Sequence, residues 1–192
     1  SIVILPHFMS WTIVSMLSVA ILSANGVVNQ LITMVGGKTI EFYNTPSVWP
    51  VILVILKVWQ GAGFGSIVYL ATITGIDASI YEAAAVDGAS KTQCIFKVTL
   101  PMLKNTIIML TIMSVGKIFN GDFGMIYAMV GSNSILYPTT DVIDTYLFRQ
   151  LLENPSMGQT AAVGLIQSIL GFGFVVLCNK VANKWSPESA LF

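Results

Sequence analysis

Residues 154–179 carry no charged side chain, and no Asp, Glu, Lys or Arg occurs before Lys38. Apolar runs of this length leave few folds open. A helix needs about 20 mostly apolar residues to cross the hydrocarbon core of a bilayer. Four windows meet that requirement, at residues 3–24, 48–74, 100–119 and 160–182. None alternates in the manner of a barrel strand, and backbone groups in lipid must bond internally, so helices are expected. Composition agrees. Fifty-five per cent of the chain is hydrophobic and 9% charged, against about 25% charged in soluble domains. Mean hydropathy is +0.79. The expected class is therefore all-α, a polytopic transmembrane bundle with lipid as its surroundings. The net charge of zero gives no footprint for nucleic acid.

Ser1 leads directly into an apolar run without a basic n-region or a cleavage site, so no signal peptide is expected. The start reads as a truncation. Cys94 and Cys178 match no metal or redox spacing and read as packing residues. His7, beside Pro6, has no second ligand placed near it and reads as interfacial.

Lys and Arg set orientation. Lys91, Lys97 and Lys104 lie between the second and third windows, and Lys180 and Lys184 lie near the C-terminus; only Lys38 and Arg149 lie on the other side. The Lys91 segment and the C-terminus should face the cytoplasm, with residues 26–46 and 120–159 outside. Within the latter, Val142, Ile143, Tyr146, Leu147 and Leu151 repeat at helical spacing, with Asp141, Asp144, Arg149 and Glu153 as a polar face. This reads as an amphipathic surface helix. Pro155 should end it.

Residues 75–101 carry the most information. Asp77 or Ser79 can cap a short helix, and Ser79 with Glu82 has capping-box spacing. Good helix formers follow, and Gly88 sits where a helix would stop. Pro101 suits the first turn of the third span. A short helix at residues 79–89 is expected on the cytoplasmic face, and its alanines allow a partner to approach closely. An ordinary interfacial helix would satisfy the same residues.

Glu82-Ala83-Ala84, Gly88 and Leu100-Pro101 reproduce the pattern EAA, three residues, G, nine residues, I-x-L-P, with Val98 in place of isoleucine. The chain resembles the permeases of ABC importers, whose cytoplasmic loop carries this pattern. The runs GKIFNGDFG (116–124) and YPTTDVIDTY (137–146) are similar to the carbohydrate branch, closest to permeases for aldouronate and other polysaccharide fragments. The resemblance covers essentially all of residues 1–192 and implies four visible spans of a usual six. It implies that residues 79–89 form a coupling helix, with Glu82, Ala83, Ala84, Asp87, Gly88, Leu100 and Pro101 serving the contact to a separate ATP-binding subunit. ATP and Mg would belong to that dimeric partner; no phosphate-binding loop occurs here. A second permease subunit, forming a heterodimer, and an extracytoplasmic solute-binding protein are the other implied partners. The implied location is the bacterial inner membrane.

Ionisable residues inside a span mark function by default. Lys57, Gln60, Gly61 and Phe64 share one helical face. Ser114, Lys117 and Gly121 have the same spacing in the third window. These two faces are expected to line a substrate path. Phe64 could stack on a sugar ring, and the two lysines would favour an anionic sugar. In a competing reading, Lys117 snorkels to water and pairs with Asp122. The small residues Gly61, Ala62, Gly63, Gly65 and Ser66 read as a packing surface, as do Gly164, Ser168, Gly171 and Gly173.

An importer of peptides or amino acids would share the coupling pattern and stays open. An ion-coupled secondary transporter would need intramembrane carboxylates, and the acidic residues here flank the windows. No nucleophile–base pair or metal cluster appears, so no catalytic or metal residue is assigned.

Overall fold

The computed structural model describes residues 2–153 and 157–185. A 3-10 segment, Ile2–Phe8, precedes α1 (Trp11–Leu22), α2 (Val27–Met34), α3 (Trp49–Thr74), α4 (Ala78–Val86), α5 (Lys91–Cys94), α6 (Leu100–Met102), α7 (Lys104–Val115), α8 (Phe123–Val130), α9 (Tyr137–Thr140), α10 (Ile143–Glu153) and α11 (Met157–Trp185). Among the described residues there is no strand. Among the described residues, three stretches are long and apolar enough to cross a membrane: Trp11–Met34, Pro46–Thr74 and Met157–Lys184. A fourth arises if Lys91–Met102 and Lys104–Val115, bent by 52°, are taken as one broken span.

Two of the four expected windows change shape. The first does not start at residue 3. Pro6 lies in the 3-10 segment, and Ser10 caps α1 by accepting from the Ile13 amide at 3.3 Å, so the long helix starts at Trp11. The apolar stretch then continues past residue 24 through α2. Asn29, only 1% exposed, holds α2 to the loop beyond it. Its amide donates to Ser23 and Ile40 carbonyls and accepts from the Ile40 N–H.

The third window changes more. Pro101 does not open that helix. Helical structure starts at Lys91, where Ser90 and Gln93 form a reciprocal capping box. A π-helical turn, Ile95–Thr99, joins α5 to α6. Pro101 removes one backbone donor just beyond it, and the axis bends at Leu103, as kinks at proline and π-turns do. The far end is also shorter: α7 stops at Val115 and a turn follows. The expected stop at Pro155 lies outside the described residues.

The chain forms two compact units: Ser1–Gly63 with Asn120–Thr160, and Phe64–Phe119 with Ala161–Phe192. The core of the first is Val14, Trp49, Leu53, Met125, Ile126, Met129, Val130 and Leu136. Trp49 is fully buried and donates its indole N–H to the Phe42 carbonyl at 2.7 Å. Gly63 lies against the Val3–Ile4 backbone, where a Cβ would collide with the Val3 carbonyl oxygen. Gly61 and Gly65 have open space instead, so among the described residues only Gly63 of these three packs closely against another segment.

In the second unit, a Cβ on Gly171 would sit 2.7 Å from the Gly116 carbonyl oxygen. Phe119 and Phe174 pack edge to face beside this crossing. Gly164 and Gly173 face open space and make no such contact. Leu165, Ile169, Phe172 and Leu177 of α11 are all more than half exposed. A helix this apolar and this exposed needs lipid or other helices around it.

Candidate functional site

The segment between α3 and α7 is built from capped pieces. Asp77 caps α4: its carboxylate accepts from the Ser79 amide at 2.9 Å. Hydrogen bonds from Ser79, the backbone N–H first and the side chain second, hold the Asp77 carboxyl below its ordinary range. Ser79 lies inside the helix, so the cap is Asp77 and the Ser79–Glu82 box does not form. At the other end Ala89 N–H bonds the Ala84 carbonyl and Gly88 N–H bonds Ala85, with Gly88 at φ +77°. This is a Schellman stop, which wants glycine because a Cβ is strained at positive φ.

Of the residues that the sequence singles out here, Glu82, Ala83, Asp87 and Gly88 are exposed and Ala84 is half-buried. Val86, an apolar side chain, is 88% exposed among the described residues. Tyr81 reaches the far end of the twenty-residue pattern: its hydroxyl shares a 2.9 Å hydrogen bond with the Thr99 hydroxyl, next to Leu100-Pro101. Sequence reasoning missed this tie, which crosses eighteen positions. It also missed the Ser90 box, although the S-x-x-Q spacing was there to read.

Lys57, Gln60, Gly61 and Phe64 all lie within α3 at one-face spacing. Lys57 donates to the Asp122 carboxylate at 2.5 Å, and its ammonium stands 5.7 Å from the Trp11 ring centroid. The Gln60 amide donates to the Met9 carbonyl at 3.1 Å. Phe64 is 53% exposed.

The second expected face does not form. Ser114 is in α7, but Lys117 and Gly121 lie beyond its end at Val115, so helical spacing no longer applies to them. Lys117 is exposed in the turn. Gly121 is packed against Val142, whose Cγ2 would be 2.5 Å from an added Cβ. Asp122 pairs with Lys57, not with Lys117 as the competing reading had it.

Beyond Asp122, α8, α9 and α10 gather an aromatic and charged group. Phe123 stacks on Tyr127, and both rings meet Phe148 edge to face. Arg149 lies over the Tyr137 ring at 4.0 Å and grips Asp141. Burial pushes the Asp141 carboxyl up, but hydrogen bonds from Arg149 and Thr145 outweigh it and leave the group below its ordinary range. Among the described residues no cluster of His, Cys, Asp and Glu could hold a metal.

Residues 1–185 match the family described as "binding-protein-dependent transport system inner membrane component". The chain belongs to that family. Among its relatives is the polygalacturonan/rhamnogalacturonan transport system permease protein YteP of Bacillus subtilis (strain 168). It is 32% identical over 189 residues, which cover 98% of this chain and 58% of the relative. Two solved structures also match: a bacterial alginate ABC transporter in complex with an alginate pentasaccharide-bound periplasmic protein, and a bacterial ABC transporter involved in import of the acidic polysaccharide alginate. Each has a TM-score of 0.89 and 35% identity, covering 96% of this chain and 64% of the matched one. The chain thus spans less than two thirds of the length of these relatives. The family is an inner-membrane one, which fits the exposed apolar faces of α3 and α11.

Proposed function

We propose that this chain contributes the translocation path of an ATP-driven importer of oligosaccharides, with uronate-containing ones the favoured class. The observation that carries the reading is the α4 segment. A nine-residue helix, held by Asp77 at one end and Gly88 at the other, presents Glu82, Ala83 and an uncovered Val86. That shape fits a rigid knob for a cleft in a separate ATP-binding subunit. The tie from Tyr81 to Thr99 would pass its motion to the Lys91–Met102 helix. Rigid-body movement of this kind, driven by nucleotide on another chain, would alternate access to the path.

The substrate class rests on the relatives. Polygalacturonan and alginate are both polymers of uronic acids, and both names occur among the matches. The path residues in this reading are Lys57, Gln60, Gly61 and Phe64, which share one face of α3. A binding protein delivers the sugar, and a second permease subunit completes the path. The lysine distribution supports a cytoplasmic Lys91 segment and C-terminus.

The test is uptake by the complete transporter in proteoliposomes. ATP-dependent accumulation of an oligogalacturonide is expected. Accumulation of an oligopeptide in its place would overturn the reading.

A further inference from the structure

Asp122 is the resident counter-ion of Lys57, and its two carboxylate oxygens have different tasks. Oδ2 accepts from the Lys57 ammonium, whereas Oδ1 accepts from the Met125 amide at 3.1 Å and so caps α8. The lysine side chain is 56% exposed and the aspartate 25%. Lys57 is therefore reachable from outside the pair while Asp122 is seated in the fold. Trp11 stands beside the ammonium, a flat apolar surface of the kind on which a sugar ring stacks.

We propose that Lys57 and Asp122 form an exchangeable latch, in which a carboxylate of an acidic sugar replaces Asp122 as the partner of Lys57. The exchange is chemically even, because carboxylate replaces carboxylate at the ammonium. Lys57 keeps a carboxylate partner in both states. An unpaired lysine in a membrane helix is costly, and Asp122 supplies its counter-charge when no sugar is present. When the sugar takes over, Asp122 keeps its cap, where the positive end of α8 favours negative charge. A neutral sugar offers nothing for the exchange and leaves the pair closed. The latch thus selects acidic over neutral oligosaccharides. It rests on the sugar-importer reading and deepens it.

The experiment compares a uronate trisaccharide with its methyl ester, which keeps the rings and removes the charge. Uptake is measured in proteoliposomes containing the full transporter and its binding protein. Lys57→Gln should lower the acid-to-ester uptake ratio about tenfold, the size of one charge-assisted contact. Lys57→Arg should keep most of the ratio. Asp122→Asn retains a good cap but removes the competing charge, so half-saturation for the acid should fall several-fold while that for the ester does not. Equal loss of both substrates in Lys57→Gln and Asp122→Asn would show a purely structural pair and overturn the latch. An unaltered ratio in Lys57→Gln would also overturn it. Wild-type transporter that accumulates neither compound would instead overturn the sugar reading itself.

Discussion

Arg149 donates from its two terminal nitrogens to the two carboxylate oxygens of Asp141, at 3.2 and 2.5 Å. The pair joins Asp141, two residues before α10, to the middle of that helix, and the guanidinium plane also covers Tyr137. Lysine can reproduce the charge but neither the fork nor the stacking. Arg149→Lys should therefore destabilise the unit by about 1 kcal/mol, the upper end for a surface pair. Thermal unfolding in detergent measures this.

The same pair sets a pH dependence. The folded Asp141 carboxyl titrates below its ordinary value of 3.8. Its contribution is therefore fully present above 3.8 and is lost as the pH falls through the depressed folded value. Asp141→Asn should flatten this acid limb of the stability curve and leave the neutral-pH slope unaltered.

Gly88 separates strain from space. A Cβ there meets nothing within 4 Å, yet φ is +77°. Gly88→Ala should cost about 1 kcal/mol of local helix-end stability through backbone strain alone. Asparagine, which tolerates the left-handed region, should cost less, and valine more. Hydrogen exchange of the Val86–Ala89 amides reads the order.

Gly63 is the opposite case. Its φ is ordinary, but a side chain would strike the Val3 carbonyl. Gly63→Ala should cost about 1–3 kcal/mol, as overpacking does. Gly61→Ala and Gly65→Ala meet open space and should leave the melting temperature of the chain in place.

Asn29 carries three hydrogen bonds in a fully buried site. Asn29→Ala removes all three bonds; Ile40 is exposed, so water replaces part of the loss and the total cost should be about 1–3 kcal/mol. Protease sensitivity of the loop between α2 and α3 should rise.

Local rules made some of this legible in the sequence. α3 runs over Trp49–Thr74 because its window is apolar and free of proline after Pro50. Gly88 stops α4 because only glycine fits there cheaply. The third span was less readable. The apolar window opens at residue 100, beyond Lys91 and Lys97, and so leaves out a helix whose start depends on a capping box and whose bend depends on a π-turn and Pro101. The ion pair of Lys57 was not readable at all. Asp122 lies sixty-five residues away, and helical spacing carries no information across that distance. For the same reason Lys117 was extended onto a helical face that ends at Val115.

The central claim is that α4 couples this chain to an ATPase. The most direct measurement follows ATP hydrolysis and solute uptake together, in proteoliposomes holding the complete transporter with Glu82→Lys or Gly88→Val. The account predicts that the subunits still copurify, that uptake falls about tenfold or more, and that hydrolysis no longer rises with loaded binding protein. Full uptake with normally stimulated hydrolysis in both variants would contradict it.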